Sequence, residues 1–136
     1  MVVGASRGMS KLMSKEQGDA GEALALAHLL QQGLSLVRRN YRVARGPRAR
    51  GGEIALIMRE ADGTLVFVEV RSRAQRAQGG AAASVGSAKQ RSIVFASQHF
   101  LNNLRTLPPC RFDVVAIDAG HVEWLRGAFD APSSLR

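Results

Sequence analysis

Apolar residues near the start of the chain recur at intervals of three and four, the spacing of one face of a helix. These residues are Ala20, Ala23, Leu24, Ala27 and Leu30. Ser14 and Gln17 form a capping-box pattern before them, and Gly33 is a typical residue to follow a helix. The pattern predicts a helix over 15–32, followed by a strand from Leu36 to Val43.

The middle of the chain contains two apolar runs that are rich in strand-forming residues. The runs cover 53–59 and 64–71, and Ala61-Asp62-Gly63 between them is a strong hairpin signal. We therefore expect two neighbouring antiparallel strands joined by a tight turn. Because alternate residues of a strand share a face, Glu69 and Arg71 are predicted to point the same way.

The second half of the chain repeats the alternation of helical and strand patterns. Its predicted elements are a loop over 72–86, a helix capped by Ser87 and Gln90 that runs to about Arg105, and strands over 111–117 and 121–125. The complete order is α-β-β-β-α-β-β. This order predicts an α/β fold in which a mixed central sheet is flanked by helices.

One domain over 15–130 accounts for these elements. Residues 1–14 are expected to be a basic, disordered arm, and 131–136 a frayed tail. The chain has 136 residues, of which 46% are hydrophobic and 22% charged, a composition typical of globular proteins. No apolar run approaches the roughly 20 residues that a membrane span needs, and the single cysteine fits a reducing cytoplasm.

The charge of the chain is strongly positive and unevenly distributed. The net charge is +8, and 38–50 contains six arginines and no acidic residue. These are Arg38, Arg39, Arg42, Arg45, Arg48 and Arg50. Arginine binds phosphate bidentately, so we expect this segment to contact nucleic acid. A solvated surface loop is the alternative.

Several short motifs together resemble one bacterial family. They are Gly21-Glu22, Arg39-Asn40-Tyr41-Arg42, Gly52-Glu53-Ile54, Val66-Phe67-Val68-Glu69-Val70, Lys89-Gln90, Arg111-Phe112-Asp113-Val114-Val115 and Ala128-Phe129. The chain resembles the YraN-like family, which has a restriction-endonuclease-like fold and is related to archaeal Holliday-junction resolvases. The resemblance implies that fold and a nuclease ancestry.

The resemblance also implies where the site lies and how this chain departs from the family. The family carries Asp where this chain has Ala55, and Lys where it has Arg71. The implied catalytic positions are Glu22, Glu69, Arg71 and Lys89. We expect Glu69 and Glu53 to hold at most a weakly bound Mg²⁺ or Mn²⁺, because alanine offers no ligand oxygen. For both glutamates an ion pair with a nearby basic residue is the alternative.

The sequence leaves three functions open. The first is a nucleic-acid-binding protein with weakened or lost nuclease activity, the second an active Mg²⁺-dependent structure-selective endonuclease, and the third a protein-interaction module. The expected partner is duplex or branched DNA or RNA, and the relation to resolvases suggests a homodimer. Tyr41 is the one residue predicted to offer an exposed stacking surface. The predicted nucleic-acid contacts are Arg39, Arg42, Arg45, Arg48, Arg50, Arg71 and Arg73.

Overall fold

A computed structural model describes 18–47, 51–73 and 85–130 of the chain. Within these ranges lie two helices and five strands. They are helix α1 over 18–31, strands β1 (Ser35–Val43), β2 (Gly52–Arg59) and β3 (Leu65–Arg73), helix α2 (Ser87–Leu101), and strands β4 (Cys110–Asp118) and β5 (His121–Phe129). The predicted order of elements is confirmed. Arg48, Arg50 and the two predicted termini, 1–14 and 131–136, fall outside the described residues.

The five strands form one mixed sheet in sequence order, β1-β2-β3-β4-β5. Three neighbouring pairs are antiparallel, and β3 and β4 are parallel. Parallel neighbours need a crossover connection, and α2 lies in that connection. The predicted α/β fold with a mixed central sheet is therefore present.

Each face of the sheet is covered by one helix, which gives the molecule two hydrophobic cores. The α1-side core joins Ala25 and Leu29 of α1 to sheet residues such as Leu56, Val68 and Val115. The α2-side core consists of Tyr41, Ile54, Ile57, Leu65, Phe67, Ile93, Ala96, Leu101 and Phe112. The central strands β2, β3 and β4 are apolar on both faces because both faces are buried, whereas the edge strands β1 and β5 are largely exposed.

The contact between α2 and β2 depends on a glycine. A Cβ atom at Gly52 would lie 2.4 Å from the backbone oxygen of Ser92 and 2.9 Å from the backbone nitrogen of Ala96. No side chain fits in that space, so glycine lets β2 approach the helix closely. The backbone N–H of Glu53 also donates to Ser92 Oγ at 3.2 Å. This contact sets the position of α2 relative to the start of β2.

Strand β2 does not alternate strictly between its two faces. Ile54 belongs to the α2-side core, whereas Leu56 belongs to the α1-side core. Asn40 lies between the residues paired with these two and has a φ of 51°, a conformation that asparagine tolerates better than most residues. The change of face falls at Ala55, which packs against the α1-side core.

The boundaries of α2 differ from the prediction at both ends. Gly86, not Ser87, is the N-cap residue, and its φ and ψ are −80° and 175°. The capping box predicted at Ser87 and Gln90 is therefore wrong, and Gln90 Nε2 instead donates to the carbonyl oxygen of Val85 at 3.1 Å. The helix ends at Leu101 rather than near Arg105. Leu104 still packs on the α2-side core, which explains why the apolar pattern continued past the helix.

Two strands extend well past their predicted ends, β3 to Arg73 and β5 to Phe129. The other three are longer than predicted by one residue at one or both ends. The end of β5 is held by Asp113, which is fully buried. Its carboxylate accepts hydrogen bonds from Trp124 Nε1 at 2.8 Å and from the backbone N–H of Gly127 at 2.9 Å, and Arg111 pairs with it as well. Because the Arg-Phe-Asp motif fixes β5 to β4, we assign Asp113 a structural role.

Candidate functional site

Glu69 is a buried carboxylate in the middle of β3, the central strand of the sheet. Only 7% of its side chain is exposed. Burial raises the pKa of Glu69; Lys89 and Arg71 oppose this shift, and Glu53 adds to it. Arg71 lies two residues along the same strand, and its Nε is 3.5 Å from Glu69 Oε2. The prediction that these two side chains share a face is confirmed.

Lys89 lies between two carboxylates. It belongs to the first turn of α2, and its Nζ is 3.5 Å from Glu53 Oε1 and 3.8 Å from Glu69 Oε2. One ammonium group thus offsets the repulsion of two acidic side chains that come from different strands. Glu53 contacts a second cation, since its Oε2 is 3.2 Å from Arg42 Nε. The ion-pair alternatives considered for Glu53 and Glu69 are both present.

These five residues form one chain of charges, which we call the ionic cluster: Arg42, Glu53, Lys89, Glu69 and Arg71. Its exposed end is at Arg42 and Glu53, and its buried end is at Glu69. Three cations and two carboxylates give the cluster a net positive charge. A net positive cluster that is open at one end attracts anions more readily than metal ions.

A divalent ion does not fit the ionic cluster well. Mg²⁺ requires oxygen ligands in near-octahedral geometry, and the space between the two carboxylates is taken by the ammonium of Lys89. Within 18–47, 51–73 and 85–130, no three His, Cys, Asp or Glu residues are grouped so that they could hold a metal. Ala55, half-buried against the α1-side core, has no ligand atom to add.

Glu22, the remaining residue of the implied catalytic group, has a different partner. It lies on α1, and its Oε1 is 3.4 Å from Nη2 of Arg39 on β1. Its helix packs on the α1 side of the sheet, while Lys89 comes from the α2 side. The structure therefore brings together Glu69, Arg71 and Lys89, and places Glu22 with Arg39.

A basic groove runs along α2 beside the ionic cluster. Its central hollow has a volume of about 470 Å³ and is lined by Arg45, Lys89, Arg91, Ser92 and Phe95, among others. An inner hollow of about 480 Å³ shares Gly51 and Ser92 with it and reaches Arg42 and Glu53. An outer hollow of about 400 Å³ shares Arg91 and Phe95 with it and reaches Asp130. We call the three hollows the α2 groove.

The predicted phosphate contacts are only partly grouped at this groove. Arg42 and Arg45 line it, and Arg71 belongs to the neighbouring cluster. Arg39 pairs with Glu22 instead, and Arg73 is the last residue of β3. The remaining two predicted contacts, at 48 and 50, have no described position.

The sequence-based predictions omitted two residues of the groove and wrongly assigned one aromatic residue, Tyr41, to the surface. Arg91 and Phe95 line the groove; their spacing of four puts both on one side of α2, a signal that the sequence did contain. The guanidinium of Arg45 lies 4.9 Å from the centre of the Phe95 ring. Tyr41, by contrast, is only 8% exposed, and its hydroxyl is 2.8 Å from His99 Nδ1. The prediction that Tyr41 is an exposed stacking residue is wrong, because its ring belongs to the α2-side core.

Comparison with known proteins identifies the family of this chain. The model described as "Uncharacterised protein family UPF0102" matches residues 21–117. This match extends from α1 through β4 and includes every residue of the ionic cluster. The chain belongs to the UPF0102 family. The resemblance to YraN-like proteins is thereby confirmed.

Individual UPF0102 proteins match over most of their length. A UPF0102 protein of Methylibium petroleiphilum is 63% identical over 118 residues, which are 87% of this chain and 97% of that protein. A relative from an Acidovorax species is 60% identical over 87% of each chain. One from Albidiferax ferrireducens is 58% identical over 87% of this chain and 90% of its own. The similarity thus covers most of this chain and most of each relative.

Within the described ranges, neither helix combines the length and the apolar character needed to span a membrane. α2 has 15 residues, whereas a spanning helix needs about 20.

Proposed function

We propose that this UPF0102 protein binds nucleic acid along the α2 groove and has weakened or lost metal-dependent nuclease activity. The observation that carries the proposal is the position of Lys89. Its ammonium lies between Glu53 and Glu69, where a nuclease of this fold would be expected to hold a divalent ion. The same lysine lines the central hollow of the groove.

The charge of the groove supports nucleic acid as the partner. Four basic residues line it, namely Arg42, Arg45, Lys89 and Arg91, against two acidic ones, Glu53 and Asp130. Contacts between basic side chains and phosphates supply most of the affinity in binding that is independent of sequence. We therefore propose that the protein recognises the backbone of duplex or branched DNA or RNA rather than particular bases.

The same geometry favours loss of cleavage over its retention. Hydrolysis of a phosphodiester needs an activated water and a group that offsets the charge developing on the phosphate, which a metal ion commonly provides. Here Arg71 and Lys89 can offset charge, but guanidinium is not deprotonated in proteins and cannot act as a base. Glu69 already contacts both cations.

An active Mg²⁺-dependent endonuclease is the second candidate, and one observation favours it. Glu53 and Glu69 approach the same ammonium, so both carboxylates would be close enough to share a metal if Lys89 moved aside. Any Mg²⁺ or Mn²⁺ would then be weakly held. A homodimer is a further proposal, which light scattering of the purified protein would test.

Binding at graded salt tests the proposed function. If about five phosphates are contacted, log K for a branched duplex should fall against log salt with a slope of about −4 to −5. Replacing Arg42, Arg45 and Arg91 together with Gln should flatten that slope by up to about 3. The matched control replaces three exposed arginines outside the groove, Arg59, Arg105 and Arg126, and should change the slope less.

Two outcomes would contradict the proposal in different ways. No binding to linear or branched nucleic acid at low salt would favour a protein-interaction module. Mn²⁺-dependent cleavage of the branched duplex that is lost on Glu69→Gln would instead favour the endonuclease.

A further inference from the structure

The outer hollow of the α2 groove differs in chemistry from the central hollow. The central hollow presents three basic side chains, Arg45, Lys89 and Arg91. The outer hollow is bordered instead by the apolar side chains Val94 and Phe95, by polar side chains and by one carboxylate. The two hollows share Arg91 and Phe95 as a common wall. A charged compartment therefore lies directly beside one with an aromatic wall and hydrogen-bonding groups.

We propose that these two compartments together bind one unpaired nucleotide of a nucleic acid strand. The phosphate lies in the central hollow among Arg45, Lys89 and Arg91, and the base lies in the outer hollow against Phe95. This inference rests on the proposed function and names a substrate feature that backbone recognition alone would not need. The substrate class is a strand with unpaired nucleotides, such as a single-stranded tail or a gap at a branch.

The chemistry of the outer hollow suits a nucleobase. Bases stack on aromatic side chains, and the Phe95 ring borders the outer hollow. Arg45, which lies 4.9 Å from the centre of that ring, lines the central hollow instead and stays with the phosphate compartment. The exposed edge of a base needs donors and acceptors, which Ser87, Gln98 and Asp130 around the hollow supply. The volumes of about 470 Å³ and 400 Å³ lie within the range of known small-ligand sites.

The placement of these residues on α2 keeps the two compartments aligned. Residues 88, 91, 92 and 95 recur at helical spacing and line the central hollow, while 87, 91, 94 and 98 do the same for the outer one. Gly52 fixes α2 against β2 at its inner side. The helix therefore presents the phosphate and base compartments as one rigid surface next to the ionic cluster.

The inference is tested with a single-stranded oligothymidine, a blunt duplex of the same length and a free thymidine monophosphate. Phe95→Leu keeps an apolar side chain but removes the ring. It should weaken binding of the single strand roughly 10-fold or more, the loss expected when one stacked base loses its aromatic partner. Affinity for the duplex and the salt dependence of both complexes should stay unchanged, because the phosphate contacts remain.

The matched control is Phe100→Leu, the same substitution on the same helix. Phe100 packs against Tyr41 and Phe67 in the α2-side core and lines none of the three hollows. It should lower thermal stability without selective loss of single-strand binding. A 2-aminopurine placed in the oligothymidine gives a second readout, since its fluorescence should be quenched by the wild-type protein and less by Phe95→Leu.

The possible failures are distinguishable. If Phe95→Leu leaves single-strand affinity unchanged, or weakens duplex and single strand equally, the base compartment is overturned while the proposed function stands. Binding of thymidine monophosphate as tight as that of the oligomer would overturn the strand as the ligand in favour of a free nucleotide. If the wild-type protein binds neither duplex nor single strand, the proposed function and this inference both fall.

Discussion

At the scale of single residues, the ionic cluster depends on Lys89. Its ammonium contacts Glu53 and Glu69, which would otherwise face each other with only their arginine partners, Arg42 and Arg71, to offset the charge. Lysine is a compact cation on a flexible stem, so its ammonium can lie between carboxylates from two strands. The planar guanidinium of arginine presents its donors in a rigid fork and would contact the same carboxylates in a different geometry. The charge of this residue can be removed or kept by substitution, which makes its role testable.

Lys89→Met should destabilise the protein and open a cation site. We expect a loss of about 1–2 kcal/mol, less than for a fully buried pair because Lys89 is partly exposed. Calorimetry should then detect Mn²⁺ binding that is stronger than in the wild type, since two carboxylates lose their internal cation. Lys89→Arg is the control and should gain no Mn²⁺ affinity. A Lys89→Met variant with unchanged stability and no metal gain would show that the bridge is unimportant.

Glu69 should make stability depend on pH in a defined direction. Burial raises its pKa above the ordinary value of 4.5, so the folded protein holds the proton more tightly than the unfolded chain. Stability should therefore fall as pH rises from about 4.5 through the folded-state pKa, and the loss should be complete above it. Glu69→Gln should remove this part of the pH profile in urea unfolding from pH 4 to 8. Glu123→Gln, on exposed β5, should leave it in place.

At the scale of elements, the close approach of α2 to β2 holds the cluster and groove together. Gly52→Ala should destabilise the protein by about 1–3 kcal/mol, because a Cβ there would lie 2.4 Å from the backbone oxygen of Ser92 and would force the backbone of α2 or β2 to shift. Gly18→Ala is the control, since open space surrounds that position on α1. Thermal unfolding should separate the two variants, and equal melting temperatures would contradict the packing argument.

The elements also show how far the sequence could predict the structure. Apolar spacings of three and four identify α1 and α2, because each helix buries one side, and apolar runs identify the central strands, because these bury both faces. The end of β5 was missed because Asp113 holds it through Trp124 and Gly127, contacts between residues distant in sequence. The side of the sheet on which Ala55 lies was not predictable, because the alternation of β2 is interrupted opposite Asn40, which has a positive φ.

Only part of the candidate site was predicted, because some of its features depend on contacts between residues distant in sequence. Glu69, Arg71 and Lys89 lie close together because β3 and the helix that follows it, α2, bring them together. Sequence motifs could indicate this grouping because the two elements follow one another in the chain. Tyr41 was wrongly predicted to be exposed and Phe95 was not singled out, because exposure of an aromatic ring depends on which neighbour covers it. Tyr41 is covered by α2, with His99 at its hydroxyl, and Phe95 lines the groove. The residues adjacent in sequence determine neither the burial of Tyr41 nor the exposure of Phe95 to the groove.

At the scale of the whole molecule, the question is whether the fold retains the capacity to cleave. The chain has Ala55 and Arg71 where its resemblance to YraN-like proteins leads us to expect Asp and Lys. If these two differences account for weak or absent cleavage, Ala55→Asp together with Arg71→Lys should create or strongly enhance Mn²⁺-dependent cutting of a branched duplex. The new Asp adds a carboxylate beside β3, and the new Lys replaces a guanidinium with a compact ammonium that can lie beside an attacking water.

The two single variants separate binding from chemistry. Ala55→Asp alone should raise metal affinity, because residue 55 and Glu69 both adjoin the Leu56–Val68 pair of β2 and β3 and the number of carboxylates governs the binding of hard cations. It should cost stability without metal, because Ala55 is half-buried against the α1-side core. Arg71→Lys alone should change metal affinity little and matter mainly for rate. Cleavage by the wild type as fast as by the double variant would mean that Ala55 is no defect and that Glu53 supplies the ligand. A double variant that binds Mn²⁺ but cuts nothing would mean that Lys89, still lying between Glu53 and Glu69, blocks the metal from its productive position.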